Sequence, residues 1–125
     1  MIQYAGEKSF VSLSHSFSEE IAARHLKLCE QSINHIEQVS GQLPINPDFI
    51  RRDSLYYASY EEDLSALNEE YALLQKYGFK VDLWNEEHIS RSYPFRKKAA
   101  LFYHDDAEMN PLKFVYGLLE KAKAQ

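Results

Sequence analysis

The chain has 125 residues, 45 % hydrophobic and 14 % aromatic, with 14 Lys plus Arg against 19 Asp plus Glu and a net charge of −5. That length makes one domain the expectation, spanning 1–125 and able to bury roughly two-thirds of the surface its unfolded form exposes. The aromatic content excludes a disordered chain, the acidic balance speaks against a nucleic-acid partner, and no apolar run approaches the roughly 20 residues that cross a bilayer.

Met1 to Lys8 lack the basic start and apolar stretch of a signal peptide. Cys29 is the single cysteine, so an internal disulfide and a cysteine-rich zinc site are excluded. A reducing, cytoplasmic setting is the natural expectation.

Residues 1–17 have no decisive pattern. Val11 to Phe17 alternate apolar and polar, as in a strand, yet are serine-rich enough for an irregular loop. Ser18 then offers an N-cap, with Glu19 and Glu20 where the helix dipole favours acids. Ala22, Leu26, Cys29, Ile33 and Ile36 recur at helical spacing up to a stop at Gly41. Pro44 and Pro47 prevent continuation.

Phe49 to Ala58 read as a strand, bent near Asp53. Ser59 and Glu62 have capping-box spacing and predict a helix bearing Leu64, Leu67, Tyr71 and Leu74, closed by Gly78. Phe79, Val81 and Leu83 alternate with polar residues and Trp84 in a second strand. Asn85 caps a brief helix that Pro94 ends, and Ala99 to His104 form a third strand. Asp105-Asp106 signals a turn, after which Asn110-Pro111 opens a last helix with Val115, Leu118, Leu119 and Ala122 on its apolar face. The expectation is an α+β domain in which a small, mainly antiparallel sheet of about three strands carries three main helices, near 18–40, 60–77 and 111–124, with their apolar stripes facing the sheet.

Four constellations are candidates for chemistry. His25 and Cys29, four apart on a helix, could share a metal, but Cys29 belongs to the apolar stripe and no third ligand is fixed beside them. His104, Asp105, Asp106 and Glu108 gather an imidazole and hard oxygens, without the intervals of an EF-hand loop; a solvated turn is the plainer reading. Arg51-Arg52 and Arg96-Lys97-Lys98 flank strands. An arginine there could grip a carboxylate, although Arg51 and Arg52 must face opposite ways. Tyr56, Tyr57, Tyr60 and Tyr103 could line an aromatic pocket or simply pack on the sheet. No phosphate-cradling, glycine-rich turn can be built from glycines at 6, 41, 78 and 117, and no GxSxG nucleophile elbow is present.

In order and spacing, these segments resemble the middle of the FAD-dependent oxidoreductases of the D-amino-acid-oxidase-like family, the group with glycine oxidase and sarcosine oxidase. Asp53-Ser54-Leu55-Tyr56-Tyr57-Ala58 corresponds to a strand of the type G-S-L-Y-L-A, with Asp53 replacing the usual glycine. Gly78-Phe79-Lys80-Val81-Asp82-Leu83-Trp84 and Asn85-Glu86-Glu87-His88-Ile89 with Pro94 follow the family pattern, as does Ala100-Leu101-Phe102 through Asp105-Asp106 to Asn110-Pro111. The similarity covers 49–125 by motif and 18–48 by helix placement.

The family's dinucleotide fingerprint and its later strands have no counterpart here. The resemblance therefore implies a substrate, or cap, domain from a larger flavoprotein that oxidises an amine or amino acid. FAD would belong to the parent and not to these residues alone, and the domain's partner would be the FAD-binding domain of the same chain. No catalytic, cofactor-binding or metal-binding residue is carried over, and substrate-binding residues stay unassigned. Apolar surface near Phe114, Leu118 and Leu119 would then be left open and promote self-association. The rival readings are a stand-alone interaction module with an aromatic patch at Tyr56, Tyr57 and Tyr103, and a metal enzyme using His25 and His104.

Overall fold

The computed structural model describes residues 1–125, with elements α1 (Phe10–Ser16), α2 (Glu19–Ser40), β1 (Ile50–Tyr57), α3 (Leu64–Lys76), β2 (Val81–Asn85), α4 (Glu86–Ser92), β3 (Ala99–Glu108) and α5 (Pro111–Lys123). Local capping accounts for most helix starts. The Ser18 hydroxyl accepts the Ile21 N–H at 3.2 Å, Asn85 accepts that of His88 at 2.8 Å, and Asn110 that of Lys113 at 3.1 Å. Each satisfies one of the donors a helix N-terminus leaves free. Helix α2 stops at Gly41, and Gly78 leaves α3 with φ 76°, a backbone that costs glycine little. The expected box at Ser59 and Glu62 lies one residue further on. Asp63 Oδ2 accepts the Tyr60 N–H at 3.0 Å, and a 3₁₀ turn, Glu61–Asp63, leads into α3.

Residues 1–9 are irregular apart from a bridge at Ile2, whereas Phe10–Ser16 are a helix, not a strand or loop. Ser9 caps α1 through the Ser12 N–H at 3.1 Å, while Glu70 reaches across from α3 to accept the N–H groups of Phe10 at 2.7 Å and Val11 at 2.9 Å. A seven-residue helix is too short to show its period in sequence and too short to persist without tertiary support. Upstream, Ile2 exchanges two backbone hydrogen bonds with Ala107.

The three strands form one antiparallel sheet in the order β1-β3-β2. Its register sets Ser54, Tyr103 and Val81 in one row and Leu55, Phe102 and Asp82 in the next. A bulge between Arg52 and Ser54 leaves Asp53 without a partner, the bend expected near that residue. Asp105-Asp106 does not end the third strand: β3 continues to Glu108, with Asp105 at φ 66° opposite the bulge. Asp106 can sit inside because its carboxylate accepts the Tyr4 N–H at 3.2 Å and the Ser54 hydroxyl at 2.5 Å.

Fourteen buried residues form the core between the Val81–Tyr103 face of the sheet and helices α1 to α3, among them Phe10, Leu26, Ile33, Leu67, Leu74 and Leu101. Tyr4 stacks on Phe79 at 5.6 Å and meets Tyr103 edge-on at 5.7 Å. The apolar stripes of α2 and α3 face this core as expected; that of α5 does not. Of α5 only Gly117 is buried, while Val115, Leu118 and Leu119 are exposed. Helix α5 docks instead on the 41–48 connection. Gly117 lies so close to Leu43 and Ile45 that a Cβ would stand 2.9 Å from Leu43 Cδ1, and Lys113 pairs with Asp48. The apolar residues of α5 thus mark a face left open, not a contact with the sheet.

Candidate functional site

The sheet face opposite the core holds the most continuous group of aromatic side chains. Period two directs Trp84, Phe102 and Tyr57 to that side. The Trp84 ring lies between His88, at 3.9 Å and 8°, and Phe102, at 4.5 Å and 6°. Phe102 then meets His104 edge-on at 4.9 Å. Towards the other end, Tyr93 stacks on Phe95, Phe95 touches Tyr57, and Lys97 stands 4.8 Å above the Tyr57 ring. The Asn85 cap fixes α4 directly after β2 and so delivers His88 onto Trp84.

At its β2–β3 end the ledge becomes polar. His104 Nε2 lies 2.8 Å from Asp82 Oδ2, and Nδ1 lies 3.9 Å from Asp53 Oδ1. Asp82 comes from the neighbouring strand and Asp53 from the bulge, so the ring is held between carboxylates from two different strands. The arrangement offers flat apolar surface beside an imidazole, with a row of acceptors at the edge.

The residues picked out from the sequence disperse. Cys29 and His25 touch each other, at 3.8 Å on the surface of α2, with no third ligand. The run from His104 to Glu108 is pulled apart: His104 turns to Asp82, Asp106 is buried on Ser54, and Glu108 pairs with Arg52. Arg51 and Arg52 do face opposite ways. Arg51 ties β1 to Glu37 and Asn34 of α2 and to the Asp105 carbonyl, so neither arginine is free to anchor a ligand. The four tyrosines make no common pocket, although Tyr56 and Tyr103 line one cavity on the core side of the sheet. Tyr103 is in the core, Tyr56 and Tyr57 are exposed on opposite faces of β1, and Tyr60 is exposed beyond it. The expected patch at Tyr56, Tyr57 and Tyr103 is therefore replaced by the ledge around Trp84 and Phe102. A metal centre joining His25 and His104 is likewise not formed, because each is engaged elsewhere and no cluster of three or more His, Cys, Asp or Glu is arranged to hold an ion.

Two carboxylates are buried and tie the fold together: Asp106, grouped in the sequence with His104 as a candidate ligand, and Glu70, which no motif singled out. Burial pushes the Asp106 carboxyl above its ordinary range, against the opposing hydrogen bonds from Ser54 and Tyr4. Glu70 sits between Leu67 and Leu74 on the apolar stripe of α3, and that placement was the available signal. Trp84 and His88, four apart across a strand–helix junction, could have been paired once Asn85 was taken as the cap.

The four glycines build no phosphate-cradling turn. Gly41 ends one helix, Gly78 follows another, Gly117 lies inside α5, and Gly6 precedes a helix without a preceding strand.

Comparison with known proteins gives two findings. The family model described as DAO, FAD dependent oxidoreductase, matches residues 6–125. Among solved structures, glycine oxidase from Geobacillus kaustophilus superposes with a TM-score of 0.60 at 15 % identity, covering 94 % of this chain and 30 % of that one. At that identity the likeness is one of fold, and the chain spans about a third of the neighbour's length. No curated protein matches.

Proposed function

The chain belongs to the DAO family of FAD-dependent oxidoreductases, and from that premise we propose that it is the substrate, or cap, domain of a larger flavoprotein oxidising an amine or amino acid. The observation that carries this reading is the two-sided sheet. Helices α1 to α3 cover one face, while the other, covered only in part by α4, carries the half-buried Trp84–Phe102 ledge. The share of the neighbour's chain that is covered, 30 %, supports a piece of a longer architecture.

In this reading the flavin, held by the FAD-binding part of the same parent, supplies the oxidation. This domain's residues shape and dry the space beside it. Trp84, Phe102 and Tyr57 contribute apolar cover, and His104 with Asp82 and Asp53 supplies the polar margin. The open stripe of α5 is a second surface for the parent to cover, and a route to self-association without it. The single thiol and the absence of any helix long and apolar enough to cross a membrane are compatible with a cytoplasmic parent.

The test compares two proteins: the 125-residue chain, and the product of the same reading frame extended in both directions. The extended protein is expected to retain flavin and to have it reduced by a small amine or amino acid. The short chain is expected to purify colourless. Stoichiometric flavin on the short chain, or a reading frame without a flavin-binding part, would sink the proposal. The second of these results would favour the interaction module.

A further inference from the structure

On the helical side of the sheet, remote from the ledge, a cavity of about 520 Å³ opens between the N-terminal segment and β1. Lys8 and Ser12 stand at its N-terminal wall, Ser54 and Tyr56 come from β1, Tyr103 from β3 and Glu70 from α3. Two of these polar residues are nine-tenths buried, Tyr103 at 5 % exposure and Glu70 at 6 %. No hydrogen bond within the chain engages the Tyr103 hydroxyl, and unlike the Tyr4 hydroxyl it is not sealed away. The Tyr103 phenol thus has no partner within the chain and opens on a cavity, where a ligand atom or water can take it up.

The remaining groups define the chemistry of that ligand. Glu70 spends one acceptor position per oxygen on Phe10 and Val11. A carboxylate offers about four such positions, which leaves about two. Ser54 donates its proton to Asp106, so towards the cavity it can only accept. Behind Ser54 the wholly buried Asp106 adds to the local negative potential when ionised. Burial holds the Tyr103 phenol above its ordinary range, and the fields of Glu70 and Asp106 act in the same sense, so the hydroxyl keeps its proton and its lone pairs. The side of the cavity built by α3, β1 and β3 thus presents acceptors in Glu70, Ser54 and Tyr103 with the Tyr56 ring beside them, while Gln3, Lys8, Ser9 and Ser12 place donors on the N-terminal side. An ammonium group brings three donors and a positive charge into that setting.

We propose that this cavity binds a small organic cation, a primary ammonium with a short stem, its head on Glu70, Ser54 and Tyr103 and its stem along Tyr56. The proposal rests on the acceptor set of this cavity and is independent of the flavoprotein reading.

The experiment titrates the full 125-residue chain with ethanolamine and, separately, with its neutral counterpart ethylene glycol, followed by amide NMR. Saturable shifts at the Phe10 and Val11 amides, whose N–H groups rest on Glu70, are expected with ethanolamine alone. Tyr103→Phe keeps the ring in the core and should weaken binding about fivefold, the loss of one hydrogen bond. Lys8→Met removes the cation best placed to compete from within the chain and should tighten binding. Equal shifts from ethylene glycol, unchanged affinity in Tyr103→Phe, or a response confined to the His104–Asp82 margin would each overturn the assignment. Glu70 itself is left intact in this test because it also holds α1.

Discussion

Glu70→Ala removes the acceptor that joins α3 to the first turn of α1 across 60 residues of sequence. Two backbone donors lose their partner. The Phe10 N–H is buried and the Val11 N–H partly so. A hydrogen bond to a charged group is worth about 1.5–3 kcal/mol, and a buried donor left unpaired carries its full desolvation cost. Taking about 2–3 kcal/mol for the buried bond and about 1–2 for the partly exposed one, the loss should be about 3–5 kcal/mol. Against a total of about 5–15 kcal/mol for an ordinary domain, that is a large share. Phe10, 1 % exposed in the core, would be released with α1. Urea unfolding measures the loss, and amide exchange locates it at Phe10 and Val11. A change below about 1 kcal/mol with both amides still protected would refute the reasoning, since it would mean that Ser9 and core packing hold α1 unaided.

Three further substitutions test separate parts of the fold. Leu74→Ala empties a site with 0 % exposure in the main core and should cost about 2–5 kcal/mol in denaturant unfolding; a loss under about 1 kcal/mol would mean the site collapses freely. Asp106 has its folded pKa raised by burial, so the folded state holds its proton more tightly than the unfolded chain does. The associated stability is complete below the ordinary value of 3.8 and is lost as pH rises through the folded value. Wild type should therefore lose ground to Asp106→Asn across that window, and a difference in unfolding free energy independent of pH would contradict the assignment. Gly117→Ala gains about 1 kcal/mol of helix propensity. It also sets a methyl 2.9 Å from Leu43 Cδ1 and 3.2 Å from the Ile45 carbonyl. Overpacking of about 1–3 kcal/mol should outweigh the gain, so α5 amides are expected to exchange faster; slower exchange would show that the 41–48 connection yields.

Where a helix is long or carries its own cap, the sequence by itself determined the outcome. Ser18, Asn85 and Asn110 each satisfy a donor three residues ahead, Gly41 and Gly78 end their helices, and the apolar spacing of α2 and α3 names the faces they bury. The family pattern from Asp53 to Pro111 was legible for the same reason, since it is a succession of such local signals. Tertiary structure decided whatever depends on a partner distant in sequence. Glu70 makes a helix of a serine-rich stretch, and Ser54 with Tyr4 lets Asp106 run on inside a strand where its pairing with Asp105 had signalled a turn. The site shows the same division. Period two places Trp84 and Phe102 on one face once the strands are paired, but pairing β2 with β3 is what brings Asp82 to His104. Likewise an apolar stripe requires cover without naming what supplies it, and in α5 the docking of Gly117 on Leu43 turns that stripe away from the sheet. Hydrogen bonds within one turn are set by neighbours in the chain, whereas the fate of a buried charge or an apolar face depends on groups that only folding brings near.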